Sequence, residues 1–265
     1  MEEIVLRPVG KVLSSTEEPE DMPLGGLEAV IEIFPEYQEA LKGIEENSHI
    51  WVLSWFHKAP RDVLRVKPGR INPELPEYGV FALRAYTRPN TIGLSLARLE
   101  RVEGCRLYLK GLDAIGGTPV IDIKPYFEND TIFSPLTSYI KGKNREMRQG
   151  ILSKRALVHH QEECSYLHLA VRMAIIAEDY LGKLNSPDLF VRVRGPLCLA
   201  DCVQGISRAR LANPSRFSFQ QADEEIESEW KRGNSTLLLR LKPGAEFEGL
   251  ESKEDQELFH IEYRK

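Results

Sequence analysis

The sequence predicts a chain of two domains: a mainly β N-terminal domain closed into a barrel over 1–135, and a smaller α+β domain over 156–265. A basic linker at 136–155 joins them. Three observations carry this reading. The N-terminal half breaks into short apolar segments punctuated by Gly, Pro and Asn. The regular strand–helix alternation of a dinucleotide-binding fold is missing. After Ser134-Pro135 the pattern changes to helix-length apolar stretches mixed with strands.

Taken in order, the segments IVLRPVGKVLS (4–14), LEAVIEIFPEY (27–37), HIWVLSWFHKA (49–59), YGVFALRAY (78–86), GLSLARLERVEG (93–104) and CRLYLKGLDAI (105–115) are rich in β-branched and aromatic residues. GTPVIDIKPY (117–126) alternates apolar and polar residues, enters through Gly-Thr-Pro and stops at Pro125, as an edge strand does. One short helix is expected near YQEALKGIEE (37–46). Strands of this number and length close into a barrel because closure removes exposed edges. Beyond the linker the sequence predicts helices at 165–182 and 197–212, a strand at 189–195, an acidic helix at 223–233 and a strand at 235–244.

At 265 residues, with 42% hydrophobic and 28% charged, the chain is large enough for two cores. No apolar run approaches the roughly 20 residues that span a bilayer, and MEEIVLRPVG lacks the pattern of a secretory signal. A membrane role is not expected and a cytoplasmic one is. Cys105, Cys164, Cys198 and Cys202 are too scattered for a disulfide framework. The net charge of -5 argues mildly against nucleic acid, but two stretches oppose it. HKAPRDVLRVKPGR (57–70) carries five cations to one acid, and KGKNREMRQGILSKR (141–155) six to one. Two such runs favour a phosphate-rich ligand, although a solvated face has the same composition.

Three polar clusters end or interrupt strands: WFHKAP (55–60), LRAYTRPNTIGLS (83–95) and GLDAIGGTPVIDIKPY (111–126). A barrel brings such strand ends to a common rim. In the last cluster Asp122 and Lys124 stand at i and i+2 on one strand face, the spacing of a structural charge pair or of two functional groups.

The ordered motifs S-H-x-W-V-L-x-x-F-H, G-V-F-A-x-R-x-x-x-R-P-N-x-I-G-x-S and L-D-x-x-x-G-T-P-V-x-D-I-K-P-Y make residues 4–130 resemble the TsaA/TrmO-type tRNA methyltransferases. The resemblance implies a β-barrel homodimer that uses S-adenosyl-L-methionine at the subunit interface. It also implies methylation of N6 of threonylcarbamoyladenosine 37, next to the anticodon of threonine tRNA. On it, His57, Lys58, Arg84, Leu94, Gly111, Leu112 and Asp113 match cofactor-contacting positions, while Met22, Pro23 and Gly25 stand in a loop that departs from the pattern. Thr91 replaces a frequent proline after Arg-Pro-Asn.

Methyl transfer from a sulfonium is an in-line displacement that asks mainly for alignment. The lone pair of the acceptor nitrogen is delocalised into a carbonyl, so a base or a stabilising cation assists. Asp122 is the first candidate base and Asp113 the second. Arg88 and Lys124 are candidate charge-stabilising or phosphate-positioning groups, and Asn90 and Tyr126 are placed to orient or stack on the base. The anticodon arm of tRNA is the expected macromolecular partner.

HHQEECSYLHLAVRMA (159–174) and CLADCVQG (198–205) resemble a degenerate FmdE-type domain, named for a subunit associated with formylmethanofuran dehydrogenase. On that match His160 and Cys164 are kept, Glu162 stands where a second His is common, and Cys198, Asp201 and Gln204 fit the second motif. Thiolates with imidazole suit zinc, but ligands of the pattern are missing and no metal is assigned. Two further readings stay open beside the methyltransferase: an inactive tRNA-binding protein, and a metal-binding protein of one-carbon metabolism.

Overall fold

The computed structural model describes residues 3–245 and 253–265, which divide into two compact units. The first comprises the chain to Val66 with Glu77–Thr131; the second comprises Lys67–Pro76 with Ile132–Lys265. Among the described residues no helix is long and apolar enough to cross a membrane.

The strands of the first unit are β1 (Gly10–Leu13), β2 (Leu27–Ile33), β3 (His49–Trp55), the two-residue β4 (Arg65–Val66) and β5 (Tyr78–Gly79), β6 (Ile92–Glu103), β7 (Arg106–Leu112) and β8 (Pro119–Pro125). Six of them close an antiparallel barrel in the order β1-β2-β7-β6-β3-β8, while β4 and β5 pair separately. Alternation decides which face is core. Ile50 and Val52 of β3, Ala97 of β6, Leu107 and Leu109 of β7 and Val120 of β8 point inward, with Val12, Ile31 and Ile33 completing the interior.

The barrel register shifts at three places, and two of them bear on the site. Leu53 faces Asp122, but the next residue, Ser54, faces Val120, so Ile121 is an extra residue in β8. Two adjacent apolar residues, Val120 and Ile121, thus fit a strand whose other residues alternate, and Asp122 is turned out of the core. Between β2 and β7 the register slips at Gly111, which takes φ of 80°, the left-handed conformation of a bulge glycine.

The second unit contains α1 (Arg145–His160), α2 (Ser165–Leu181), β9 (Leu189–Gly195), α3 (Leu197–Ser207), β10 (Phe217–Gln221), β11 (Glu227–Arg232), β12 (Ser235–Leu241), α4 (Asp255–Leu258) and β13 (Phe259–Arg264). The strands form one sheet, β10-β9-β11-β12-β13, parallel only between β10 and β9. Helix α2 is apolar on most of its surface, and Leu169, Met173 and Ile175 join a core with Trp230, Leu237, Leu239 and Phe259. The Trp230 indole N–H is satisfied by Ser228 Oγ at 2.9 Å, so a polar atom enters this core with its partner.

Several elements differ from expectation. The acidic stretch 223–233 contains strand β11 (Glu227–Arg232) and no helix. Ile226, Ser228 and Trp230 are buried at a period of two, and the outward Glu227 meets Arg192 at 3.6 Å and Arg240 at 3.2 Å across the sheet. Cross-strand charge pairing and a buried Trp outweigh the helix propensity of glutamate. The expected linker contains helix α1 from Arg145: Asn144 caps it by accepting from the Met147 N–H, and Arg148, Leu152 and Ala156 are buried. The helix near 37–46 is two 3-10 turns, and the strand expected over 78–86 shortens to β5 followed by a 3-10 turn.

Candidate active site

The candidate site is built around β3. Its outward residues Trp51, Leu53 and Trp55 lie opposite Leu96, Leu94 and Ile92 of β6 on one side, and Trp51 and Leu53 lie opposite Lys124 and Asp122 of β8 on the other. Leu94 and Asp122 therefore flank the same residue, Leu53. The face is apolar and open: Ile92, Leu94 and Leu96 are 37%, 48% and 38% exposed. On its β8 side the Lys124 ammonium sits 2.7 Å from Asp122 Oδ2, and Asp122 Oδ1 accepts the Ile123 N–H at 2.9 Å.

At the far end of β3 the chain turns through His57 and Lys58, both exposed. Lys58 Nζ donates to the Glu17 carbonyl at 2.9 Å and to Glu18 Oε1 at 2.8 Å, which ties this turn to the loop before β2. The Phe56 N–H donates to the Thr91 carbonyl at 2.8 Å, so the loop carrying Arg84, Arg88 and Asn90 lies beside the His57 turn. Within that loop Arg88 donates to the carbonyls of Ala85 (2.8 Å), Leu83 (2.8 Å) and Val80 (3.2 Å). Its guanidinium is the staple of the loop, whereas Arg84 and Asn90 are exposed.

The third motif approaches from β7. Gly111 lies near the Leu96 carbonyl of β6, Leu112 is fully buried, and Asp113 is exposed. The loop with Met22, Pro23 and Gly25 closes over this bulge: Gly26 takes φ of 77°, and a Cβ there would lie 2.5 Å from the Leu112 backbone.

Tyr126 does not join the rim residues. Its N–H bonds the His49 carbonyl at 3.1 Å, its hydroxyl meets Thr131 Oγ1 at 2.8 Å, and its ring packs edge-on to Trp51 at 5.8 Å. It thus marks the His49 end of β3, while the His57 turn follows the Trp55 end, roughly 20 Å away at ~3.3 Å per residue. Lys124 lies on the Tyr126 side of Asp122.

Sequence reasoning overlooked a set of buried hydroxyls. Ser54, Thr91 and Thr118 are each fully buried, and their side-chain oxygens find no hydrogen-bond partner among the described residues. The signal was present in β3, where Ser54 occupies an inward position of an alternating strand. A groove of about 890 Å³ lies elsewhere, on the outer side of β1, β2 and β7; of the expected site residues only Lys58 lines it.

The cations of the basic runs have different fates. In the second run Arg148 is buried against Glu178 (2.6 Å) and Asp179 (2.8 Å), Arg145 pairs with Asp255 at 2.7 Å, and Lys141 meets Asp179 at 3.4 Å. Arg155 is pushed below the ordinary arginine range by burial first and by the Arg208 charge second. In the first run Arg61 lies over the Trp55 ring at 4.9 Å, and Arg65, Lys67 and Arg70 are exposed.

The model of the tRNA-methyltransferase O N-terminal domain matches residues 14–130. A probable S-adenosyl-L-methionine-binding protein of Archaeoglobus fulgidus is 38% identical over 192 residues, 70% of this chain and 52% of its own. That match is longer than the first unit and so continues into the second. A protein of the same description from Methanothermobacter thermautotrophicus is 48% identical over 131 residues, 48% of this chain and 93% of its own. The tRNA (adenine(37)-N6)-methyltransferase of Mus musculus is 50% identical over 96 residues, 36% of this chain and 22% of its own. This chain spans about half the length of the Archaeoglobus relative and less of the mouse one. The crystal structure of TrmO aligns at 37% identity and a TM-score of 0.44, covering 52% of this chain and 62% of the other.

Proposed function

Because the chain belongs, through residues 14–130, to the family of the tRNA-methyltransferase O N-terminal domain, we propose that it is an S-adenosyl-L-methionine-dependent tRNA methyltransferase. Its target in this reading is N6 of adenosine 37, carrying a threonylcarbamoyl group, in threonine tRNA. The observation that carries the reading is the junction of two matching motifs: the Phe56–Thr91 bond sets the His57-Lys58 turn beside the Arg-Pro-Asn loop.

In this reading His57, Lys58, Arg84, Leu94 and the Gly111–Asp113 backbone hold the methyl donor, and Arg88 acts by shaping the loop that carries Arg84. S-adenosyl-L-methionine supplies the electrophilic methyl group. Asp122 would take the N6 proton as the methyl carbon passes from sulfur to nitrogen, the C–S bond breaking to leave the neutral thioether, and Lys124 would steady the charge that develops on the modified base. Because Asp122 is ion-paired at 2.7 Å, the lysine must turn toward the substrate for the carboxylate to act. Tyr126 and Asn90 orient the base.

The separation of Tyr126 from the rim favours a homodimer, in which a second copy brings its own β8 edge to the cofactor rim. The exposed row of Ile92, Leu94 and Leu96 with Trp51 and Leu53 is the apolar surface such pairing covers. The exposed cations of 58–70 suit the anticodon arm, and the four cysteines, all free, suit a cytoplasmic enzyme.

Calorimetry with S-adenosyl-L-methionine and label transfer to threonine tRNA, with and without the threonylcarbamoyl group, test this. Wild type binds and transfers. Arg84→Ala loses binding without losing stability; Arg88→Ala loses both. If the donor binds and tRNA binds but no label moves, the inactive RNA-binding reading replaces this one. Equal donor affinity in wild type and Arg84→Ala sinks the pocket assignment.

A further inference from the structure

Three helix ends of the second unit converge on one point. Helix α1 ends at His160, and the chain reverses through Gln161, whose φ is 63°. Cys164 then takes the N-cap position of α2 with an extended backbone, yet its side chain makes no capping bond. Cys198 lies in the first turn of α3, just after Pro196. The donor atoms of His160, Cys164 and Cys198 all lie within 4.8 Å of one another.

From this geometry we propose that His160, Cys164 and Cys198 form a mononuclear zinc site, with Asp201 as its positioning carboxylate. Ligand atoms on a zinc tetrahedron stand about 3.7 Å apart, from Zn–S lengths of ~2.3 Å. The Cys164 Sγ to His160 Nε2 separation of 3.5 Å already meets that spacing. Both cysteines sit at helix N-termini, and a metal would take them as thiolates. A set of two sulfurs and one imidazole is a zinc-type donor set.

Asp201 accepts from His160 Nδ1 at 2.8 Å. That bond fixes the tautomer with its proton on Nδ1 and leaves the Nε2 lone pair facing the two sulfurs. The other oxygen of Asp201 is taken by His159 Nε2 at 3.1 Å, so the carboxylate orients and does not ligate. Gly205 permits this arrangement: a Cβ there would lie 2.6 Å from His159 Cβ. Three protein ligands leave the fourth corner to water or a small anion, the arrangement of an accessible Lewis acid rather than of a closed structural site.

The full-length chain, stripped with a chelator, is titrated with zinc against a chromogenic competitor, and separately with cobalt. The proposal expects one equivalent of zinc, cobalt bands with thiolate charge-transfer character, and slower alkylation of Cys164 and Cys198 when zinc is present. Cys164→Ser and Cys198→Ser lose the metal. Asp201→Asn binds about tenfold to a hundredfold more weakly but keeps the charge-transfer band. Cys202→Ser, a change at the neighbouring buried thiol, leaves the metal in place. Alkylation that is equally fast with and without zinc, or zinc binding unchanged in Cys164→Ser, overturns the site; both are read on wild type or by binding alone, so folding of a variant does not confuse them. Methyl transfer is not part of the readout, and failure of the methyltransferase reading leaves this test intact.

Discussion

The Phe56 N–H and the Thr91 carbonyl, 2.8 Å apart, join the end of β3 to the start of β6, and the same corner is closed by a glycine. A Cβ on Gly93 would lie 2.4 Å from the Phe56 ring and 2.7 Å from Ser54 Oγ.

Gly93→Ala should therefore overpack this corner at a cost of about 1–3 kcal/mol. Because both rim loops hang from it, affinity for S-adenosyl-L-methionine should fall more steeply than stability. Denaturant melts and calorimetry on the same samples check this; a variant with wild-type affinity separates the corner from the cofactor site.

The Asp122–Lys124 pair is partly exposed on both partners, at 45% and 62%. Removing it should change stability by no more than about 0.5 kcal/mol. If the two groups act on the substrate, Asp122→Asn and Lys124→Ala should each slow methyl transfer by about 10²-fold or more with unchanged donor binding. Rates within a few-fold of wild type would make the pair a structural one.

The two basic runs should behave differently. Reversing Arg65 and Lys67 together to glutamate should weaken tRNA binding and flatten its dependence on log salt, by on the order of one unit for each phosphate no longer neutralised. Filter binding across a salt series measures this, and an unchanged slope moves the RNA surface elsewhere. Arg148→Ala instead leaves Glu178 buried without its cation and should destabilise the second unit by roughly 3–5 kcal/mol, read in a thermal or urea melt.

Glu32 predicts a pH effect. Hydrogen bonds from Lys11 first and Arg106 second hold its carboxyl below the ordinary value of 4.5. Its folded form is thus the better acid, so its contribution is complete above about pH 4.5 and is lost as pH falls through the folded value. Glu32→Gln should remove that part of the acid limb of a stability–pH curve while leaving Glu103, lowered by Arg101 and Tyr108, in place. Superimposable acid limbs would contradict the assignment.

By itself the sequence determined the barrel and the boundary of its motifs, because alternation at a period of two and Gly/Pro punctuation are local properties. It also brought His57, Arg84 and Asn90 into one argument, through motif order. Tertiary structure decided the rest. Whether Asp122 points in or out depends on a bulge at Ile121, which exists only against β3. Arg88 became a loop staple because three carbonyls converge on it. Glu227 and Glu229 form a strand because Arg192 and Arg240 stand beside them; of the cations of 141–155, Arg148 is buried because Glu178 and Asp179 meet it, and Lys141 and Arg145 are paired with Asp179 and Asp255. His160, Cys164 and Cys198 are 34 residues apart along the chain from the second to the third, and only the convergence of three helix ends makes them neighbours. Each of these depends on contacts between distant segments, which no local pattern encodes.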